Sequence, residues 1–392
     1  MRRRICVFTG TRAEYGLLKP LLSFLRDDDR VELSLIASGS HFSPEFGLTY
    51  REIEDDGFHI DERVDMLLSS DAPSAIAASM GLCLIGCGGA LSRLRPDLLV
   101  LLGDRYECLC AALAATTSSI PIAHIHGGER TEGALDESFR HAITKLSYLH
   151  FASTEPYRRR IIQLGEDPSR VFATGALGLD NIRTLSLKPR DSILKELNIP
   201  LGGPLLLVTF HPATGHSGQA ERQFIELLSA LGSLPGIFVV FTKANADQGG
   251  RVINTLIENE VARLPQERSA FTSLGNLNYL SLLRASDVVV GNSSSGIIEA
   301  PSLGVPTVDI GDRQKGRIRA PSVLHAESDA ASIRAAIQEA LSIEHRLKSA
   351  RCENPYGDGW AAERIILPLI SFSLDGAMAK PFYDVPISEI GC

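Results

Sequence analysis

Two carboxylates follow glycines at the ends of apolar runs, where a side chain can reach a bound ligand. Asp104 comes after an unbroken aliphatic stretch, and Glu129 stands at the tip of a turn with paired glycines that would leave it exposed. Carboxylates that lie near each other split their pKa values, so that one serves as an acid and the other as a base. An ion pair between Asp104 and Arg105 is the structural alternative, whereas the Glu129 turn favours a functional role.

A third carboxylate, Asp136, opens a helical pattern whose apolar stripe continues through Phe139 and Ile143. Arg140 lies four residues further on and can pair with Asp136. The N-terminal turn of a helix stabilises negative charge, which favours an ionised Asp136 with a structural or electrostatic role. Desolvation would act in the opposite direction, and the sequence leaves both possibilities open.

Basic side chains at comparable positions suit an anionic ligand. His211 follows an apolar run and can serve acid–base chemistry or donate to a phosphate. Arg12 and His41 follow two earlier apolar runs, and Arg12 is a candidate anion ligand. Arg313 and Arg317, four positions apart, could close over a phosphate or a base. The structural alternatives are surface charges for the arginines and locally bonded rings for the histidines.

The stretch 288–299 carries the strongest indication of phosphate binding. Three valines lead into a turn and then a helical pattern, and the candidate ligand residues there are Ser293, Ser294, Ser295 and Gly296. Glycine lets the backbone approach a ligand, serine hydroxyls cap or donate, and a helix N-terminus favours negative charge. An ordinary capped turn is the structural alternative. A Walker loop is excluded because no Gly-Lys-Ser/Thr follows.

These residues share one position, just after the carboxyl end of an apolar run of strand length. Strands are predicted at 4–8, 31–37, 98–102 and 120–125, and again at 205–210, 237–242, 287–290 and 305–310. Helical patterns alternate with them, as at 17–25 and 108–116. Such alternation predicts parallel sheets covered by helices, which bind ligands at the carboxyl ends of their strands.

The predicted fold class is therefore α/β, with two Rossmann-like, doubly wound domains facing a cleft. The first domain, 1–185, carries the carboxylates, and the second, 186–370, carries the serine-containing turn. Residues 187–203 have the composition of a linker, and 371–392 are predicted to form an irregular tail.

The composition bounds the function. The chain has 392 residues and a net charge of −8, which argues against nucleic-acid binding. We expect no membrane span, because no apolar run reaches that length, and no signal peptide, because no apolar region follows the basic start. The odd number of cysteines, 7, indicates reduced thiols and a cytoplasmic protein. Neither cysteines nor histidines have the spacing of a metal site.

Six motifs, in this order, resemble one family closely. They are Gly10-Thr11-Arg12-Ala13-Glu14-Tyr15, Gly103-Asp104-Arg105, His126-Gly127-Gly128-Glu129, Asp136-Glu137 with Arg140-His141-Ala142-Ile143-Thr144-Lys145, His211-Pro212, and Gly291-Asn292-Ser293-Ser294-Ser295-Gly296. Together they resemble the hydrolysing UDP-N-acetylglucosamine 2-epimerases of sialic acid synthesis, over nearly the whole chain. Ala13 stands where non-hydrolysing relatives have proline, which favours the hydrolysing branch. That branch also contains enzymes acting on UDP-N,N′-diacetylbacillosamine for legionaminic acid, so two sugars stay open.

The resemblance implies a fold like that of the GT-B glycosyltransferases, with the last helix crossing back to the first domain. It implies a UDP-sugar as substrate, no NAD or other cofactor, no metal, and a homodimer or homotetramer. UDP would lie mainly on the second domain. The implied contacts are Ser293, Ser294 and the helix N-terminus for the diphosphate, Glu299 for the ribose, and Arg12, Arg317 and His211 for the phosphates.

The implied chemistry is a glycosyl-hydrolase-type reaction with inversion at C2. Loss of the C2 proton and of UDP gives 2-acetamidoglucal, and water then adds to give free N-acetylmannosamine. The resemblance assigns proton transfer and water activation to Asp104, Glu129 and Asp136, and leaves the division of roles open. Helix N–H groups and arginines would stabilise the charge that develops on the departing diphosphate.

Two other classes of function compete with this interpretation. A GT-B glycosyltransferase would share the turn and the cleft but would need an acceptor site, for which we find no basic or apolar stripe. A non-catalytic nucleotide-sugar sensor would bind without turnover, yet nucleotide binding alone does not require three carboxylates.

Overall fold

The computed structural model describes residues 2–70, 72–132, 135–212, 219–244 and 250–386. The chain forms two compact units. One consists of Met1–Glu129, Asp136–Asn181 and Tyr356–Cys392, and the other of Arg130–Leu135 and Ile182–Pro355. These units differ from the predicted ranges 1–185, 186–370 and 371–392. Arg130–Leu135 belongs to the second unit, and Tyr356–Cys392 belongs to the first.

The first unit is built on seven parallel strands. They are β1 (Arg3–Thr9), β2 (Val31–Ser38), β3 (Glu62–Val64), β4 (Leu98–Leu102), β5 (Ile122–Ile125), β6 (Leu149–Ala152) and β7 (Val171–Ala173). Their order in the sheet is β3-β2-β1-β4-β5-β6-β7, so the direction of winding reverses between β1 and β4. Open α/β sheets bind ligands at such a switch point. The turns that follow these two strands carry Arg12 and Asp104.

Helices cover both faces of this sheet. They are α1 (Arg12–Asp27), α2 (Tyr50–Asp55), α3 (Pro73–Leu94), α4 (Tyr106–Thr117), α5 (Leu135–Leu146), α6 (Glu155–Gln163) and α7 (Gly178–Thr184). All five residues of β4 are aliphatic and buried, as a parallel strand with helices on both sides requires.

The second unit repeats this plan with six parallel strands. They are β8 (Leu205–Thr209), β9 (Phe238–Thr242), β10 (Arg268–Phe271), β11 (Val288–Gly291), β12 (Thr307–Ile310) and β13 (Val323–Ala326). Their order, β10-β9-β8-β11-β12-β13, places the switch point between β8 and β11. His211 follows β8 and the serine-containing turn follows β11. The helices are α8 (Arg190–Glu196), α9 (Gln219–Gly232), α10 (Gly250–Arg263), α11 (Gly275–Ala285), α12 (Ser295–Ile298), α13 (Ala330–Leu341) and α14 (Ile343–Ala350).

The prediction of two doubly wound α/β domains is confirmed. The predicted strands are all present, whereas β3, β6, β7, β10 and β13 were not predicted. The expected linker at 187–203 is wrong in part, since it contains α8. Ile193 and Leu194 of α8 are fully buried in a hydrophobic cluster of the second unit.

The chain beyond residue 355 returns to the first unit. The N-terminus of helix α15 (Ala361–Ser371) contacts Asp180. The Asp180 carboxylate accepts the N–H groups of Ala361 and Ala362 at 3.1 and 2.9 Å. Between residues 372 and 386 the chain after α15 is largely irregular, but it is anchored. Lys380 donates to the buried Glu166 at 2.7 Å.

Helix α3 corrects one expectation from the sequence. Among the described residues it is long and apolar enough, by length and composition, to cross a membrane. The expectation that no apolar run reaches that length is therefore wrong. Glycines, alanines and serines separate the large apolar side chains of 73–94. The segment was missed because only an unbroken run of large apolar residues was taken as a sign of a membrane span.

Candidate functional site

Arg140, on α5, joins two carboxylates of the first unit. Its side chain is buried. The guanidinium donates to Asp104 Oδ2 through Nη2 and through Nε at 3.0 Å, and its Nη1 donates to Glu137 Oε2 at 2.8 Å. The structure therefore places Glu137 beside Asp104. The acid predicted from the sequence at this helix start was Asp136 and not Glu137, although the three-residue spacing between Glu137 and Arg140 is the signal of a helical ion pair.

Glu129 is buried, not exposed at the tip of its turn as the sequence suggested. Only 2% of its surface is accessible. Ser153 Oγ donates to Glu129 Oε1 at 2.8 Å, His126 Nδ1 lies 3.6 Å from the same oxygen, and Arg140 Nη1 donates to the Glu129 carbonyl at 2.8 Å. The main chain before Glu129 requires glycine at position 128, because the φ of Gly128 is +73° and a Cβ there would overlap the main chain of α6. The paired glycines thus turn the carboxylate inwards.

The turn after β1 presents Arg12, the first residue of α1, at the surface. Thr11 caps α1, and Glu14 completes a capping box by accepting the N–H groups of Gly10 and Thr11 at 2.7 and 3.2 Å. Burial, and after it the nearby Glu107, raises the pKa of Glu14 to about 7. By accepting two main-chain N–H groups, the Glu14 side chain fixes the conformation of the turn that precedes Arg12.

His41 occupies an interior position that favours a structural role over the predicted ligand contact. It is fully buried. Nε2 lies 3.0 Å from Thr9 Oγ1 and Nδ1 lies 2.9 Å from Thr49 Oγ1. Both ring nitrogens are therefore occupied within the protein. Burial lowers the pKa of His41 to about 4, so the ring is neutral at physiological pH.

The turn after β11 can be formed only with glycine at its start. Gly291 has a φ of +138°, and a Cβ there would overlap the Thr209 carbonyl oxygen. The helix that follows, α12, has 4 residues, and Ser294 makes no side-chain cap. A helix therefore does follow the turn, as predicted, but it is one turn long and Ser294 does not cap it. Ser293 and Ser294 remain partly exposed, and Ser293 Oγ accepts the N–H of Ser295 at 3.4 Å.

Asn292 connects this turn with two other segments of the second unit. Its side-chain Oδ1 accepts the His211 N–H at 2.7 Å, and its Nδ2 donates to the His211 carbonyl at 2.8 Å. The Asn292 carbonyl accepts Arg313 Nη1 at 3.0 Å and Gln314 Nε2 at 2.9 Å. Asn292 is buried, with 2% of its surface exposed. From the sequence, Asn292 was part of a motif but was assigned no role of its own, and Gln314 was not considered.

The structure therefore assembles two groups of predicted residues, each within one unit. In the first unit Arg140 gathers Asp104, Glu137 and the Glu129 main chain. In the second unit Asn292 gathers the turns that carry His211, Ser293, Ser294, Ser295, Gly296 and Arg313. Asp136, Glu299 and Arg317 are partly exposed, and Arg317 follows Gly316, which has a φ of +87°.

Comparison with known proteins identifies the family. Residues 24–369 match the family model described as UDP-N-acetylglucosamine 2-epimerase. The chain belongs to this family. The resemblance inferred from the six motifs is confirmed, although the first motif, at Gly10–Tyr15, lies outside the matched range.

Individual family members agree with this assignment. The chain is 40% identical to the GDP/UDP-N,N′-diacetylbacillosamine 2-epimerase (hydrolyzing) of Campylobacter jejuni, over 83% of this chain and 85% of that protein. It is 38% identical to the polysialic acid biosynthesis protein P7 of Escherichia coli, over 98% of both. The fold matches the UDP-GlcNAc 2-epimerase of Neisseria meningitidis bound to UDP-GlcNAc with a TM-score of 0.79, at 20% identity, covering 94% of this chain and 99% of that one.

Proposed function

We propose that the protein is a hydrolysing UDP-N-acetylglucosamine 2-epimerase. A base removes the C2 proton while the C1–oxygen bond to UDP breaks, and the electron pair of the C2–H bond forms the C1–C2 double bond of 2-acetamidoglucal. Water then adds its oxygen to C1, and a proton returns to C2 on the opposite face. The products are N-acetylmannosamine and UDP. The observation that carries the proposal is the pairing of Asp104 and Glu137 on Arg140 in a chain of this family.

Asp104 and Glu137 are the groups that move protons in this proposal. The C2 proton is a weak acid, so a carboxylate must be positioned before the leaving group departs. Arg140 holds both carboxylates in fixed directions and balances part of their charge, which leaves two proton-transfer groups side by side. Glu129 is buried, and its carbonyl accepts a hydrogen bond from Arg140 and helps to orient it. Asp136, at the first turn of α5, contributes negative charge near the same edge.

UDP binds to the second unit in this proposal. Ser293 and Ser294 present donors to the diphosphate, and Arg313 and Arg317 supply positive charge from the loop after β12. Glu299 takes the ribose. The Asn292 side chain fixes the main chain of His211, and in this proposal the His211 ring contacts the β-phosphate. The UDP-GlcNAc bound to the structurally similar Neisseria protein supports a nucleotide-sugar ligand for this fold.

The decisive experiment is incubation with UDP-N-acetylglucosamine in D2O, followed by NMR of the products. We expect UDP and an N-acetylmannosamine that carries one deuterium at C2. A sugar that keeps its protium at C2 would exclude the elimination and would favour the glycosyltransferase alternative. Binding of UDP without any product would favour the sensor.

A second substrate, UDP-N,N′-diacetylbacillosamine, is favoured by the relationship to the Campylobacter enzyme. The two sugars differ at C4 and C6, whereas the groups described above act on C1, C2 and the diphosphate. Values of kcat/KM for both compounds, measured side by side, decide between them. A ratio above about 100 in either direction corresponds to roughly 3 kcal/mol of differential transition-state binding and identifies the substrate.

The glycosyl-hydrolase classification requires that water attack carbon and not phosphorus. Reaction in H2¹⁸O should place the label on C1 of the released sugar and leave UDP unlabelled. Label in UDP would show cleavage of the phosphorus–oxygen bond and remove that classification. The buried free thiols of Cys6, Cys83 and Cys87 suit a reducing compartment, and we place the reaction in the cytoplasm.

A further inference from the structure

The side chain of Tyr279 contacts the serine-containing turn from a neighbouring helix. Tyr279 lies on α11, and its hydroxyl donates to Ser295 Oγ at 2.8 Å. Ser295 is the first residue of α12 and one of the candidate ligand residues of the turn. The two residues are 16 positions apart in the sequence, and no motif includes Tyr279. The contact between them is therefore a product of the packing of the second unit.

The ring of Tyr279 and its hydroxyl have different surroundings. The ring packs against a hydrophobic cluster that includes Leu282, Leu283 and Ala300. A phenylalanine ring would fill the same space, so this packing does not account for the hydroxyl. A hydroxyl that leaves water without a hydrogen bond is destabilising, and Ser295 supplies the acceptor here. The contribution of the hydroxyl is therefore made at the turn.

The Tyr279 hydroxyl keeps its proton at neutral pH. Burial raises the pKa of Tyr279 to about 12, the hydrogen bond with Ser295 acts in the opposite direction, and the nearby charge of Glu299 raises the pKa further. A protonated tyrosine has one O–H to donate, and Ser295 Oγ accepts it. The Ser295 oxygen is thus held at a defined place beside α11.

Ser295 in turn contacts Ser293. The N–H of Ser295 donates to Ser293 Oγ at 3.4 Å, and the N–H of Gly296 donates to the Ser293 carbonyl at 3.2 Å. A serine oxygen that accepts a hydrogen bond still has its own proton to donate. Ser293 can therefore direct its O–H at an anion while its oxygen is held by Ser295. The position of Ser295, and with it the Tyr279 hydroxyl, decides where that donor lies.

Other contacts fix the two ends of the same turn. Asn292 binds the main chain of His211 at the start of the turn. Gly296 packs closely against β12 at its end, since a Cβ there would lie 2.8 Å from a side-chain carbon of that strand. Between these ends, the hydrogen bond from Tyr279 restrains Ser295 through its side chain.

We propose that Tyr279 is a positioning residue of the nucleotide site, which holds Ser295 and Ser293 in the arrangement that a diphosphate binds. This inference rests on the proposed function, in which the same turn takes the diphosphate of UDP. Tyr279 acts on the diphosphate through Ser295 and does not contact the nucleoside. Without the hydroxyl, the start of α12 gains freedom that it must lose again when the diphosphate binds, so affinity falls.

The affinities of the full chain for UDP and for uridine, measured by NMR titration, test the proposal. We expect Tyr279→Phe to weaken UDP binding about fivefold, as loss of one neutral hydrogen bond does, and uridine binding by less than about twofold. Ser281→Ala is the matched control, because Ser281 is a buried residue of the same helix whose hydroxyl donates to the Leu277 carbonyl at 2.6 Å. Its ratio of UDP to uridine affinity should equal that of the wild type. A ratio that falls equally in both variants, or in neither, would overturn the proposal.

A double-mutant cycle with Ser295→Ala separates positioning from direct contact. In the Ser295→Ala protein, adding Tyr279→Phe should change UDP affinity by less than about twofold, because the acceptor through which Tyr279 acts is absent. Equal losses in the two backgrounds would show that Tyr279 binds the ligand itself and would refute positioning. A wild type that binds no UDP would remove the proposed function and this inference with it. UDP binding that is normal in the wild type and in Tyr279→Phe would contradict this inference alone.

Discussion

The side-chain amide of Asn292 forms two hydrogen bonds with the main chain of His211, at 2.7 and 2.8 Å. The two residues follow neighbouring strands, β11 and β8, so this clamp joins the turns at the switch point of the second sheet. Main-chain groups at a strand end have few partners of their own, and a buried amide that satisfies both of them fixes the two turns relative to each other.

Replacement of Asn292 by aspartate should weaken nucleotide binding. A carboxylate cannot donate to the His211 carbonyl, and an unsatisfied buried acceptor costs roughly 1–3 kcal/mol, which corresponds to about a 5- to 150-fold change. We expect UDP affinity, measured by calorimetry, to fall at least tenfold in Asn292→Asp. Asn254→Asp is the control, since Asn254 makes the same two bonds to the main chain of Ala244. An equal loss of UDP affinity in both variants would show a general effect on stability.

Removal of either proton-transfer carboxylate should lower turnover strongly and spare nucleotide binding. Asp104→Asn and Glu137→Gln keep the size of the side chain but remove the base, which typically costs about 10²–10⁴-fold in rate. We expect kcat to fall in that range while UDP affinity changes by less than about threefold. Glu155→Gln, at the exposed first turn of α6, is a control with normal kcat. Normal turnover in Glu137→Gln would remove Glu137 from the mechanism.

Alanine at position 291 should disrupt the serine-containing turn. Its Cβ would overlap the Thr209 carbonyl, and a φ of +138° is accessible only to glycine. We expect Gly291→Ala to lose UDP binding at least tenfold and to unfold at lower temperature, because the strain costs at least roughly 1–3 kcal/mol. Gly232→Ala, on α9 of the same unit, is the control, since a Cβ there meets nothing within 4 Å. Wild-type affinity in Gly291→Ala would contradict this geometry.

The buried Glu14 should make stability depend on pH. Its pKa is raised by burial from 4.5 to about 7, so the folded protein binds a proton that the unfolded chain releases. Stability from this group is complete below the unfolded pKa and is lost as pH rises through the folded pKa. Between pH 5 and 8 the wild type should lose roughly 1–3 kcal/mol relative to Glu14→Gln, measured by chemical denaturation at each pH. Parallel curves for the two proteins would show that Glu14 is ionised throughout.

The sequence by itself determined the plan of the molecule. Runs such as Leu98–Leu102 are apolar throughout because both faces of a parallel strand are covered, and a glycine or a polar residue follows each run. That pattern is local, so it could be read from neighbouring positions, and it located Asp104, His211 and the serine-containing turn. The six motifs then indicated the family, which the comparisons confirmed.

The tertiary structure alone decided which side chains meet. Glu137 and Asp104 are 33 positions apart in the sequence, and both bind Arg140. Asn292 bonds His211 because the strands that precede them, β11 and β8, are neighbours in the sheet. Glu129 and His41 turn inwards because partners from the segment after β6 and from the segment before α2 form hydrogen bonds with them there. Each of these outcomes depends on contacts between distant segments. A side chain's exposure and its hydrogen-bond partners are properties of the packed fold, and local sequence does not contain them.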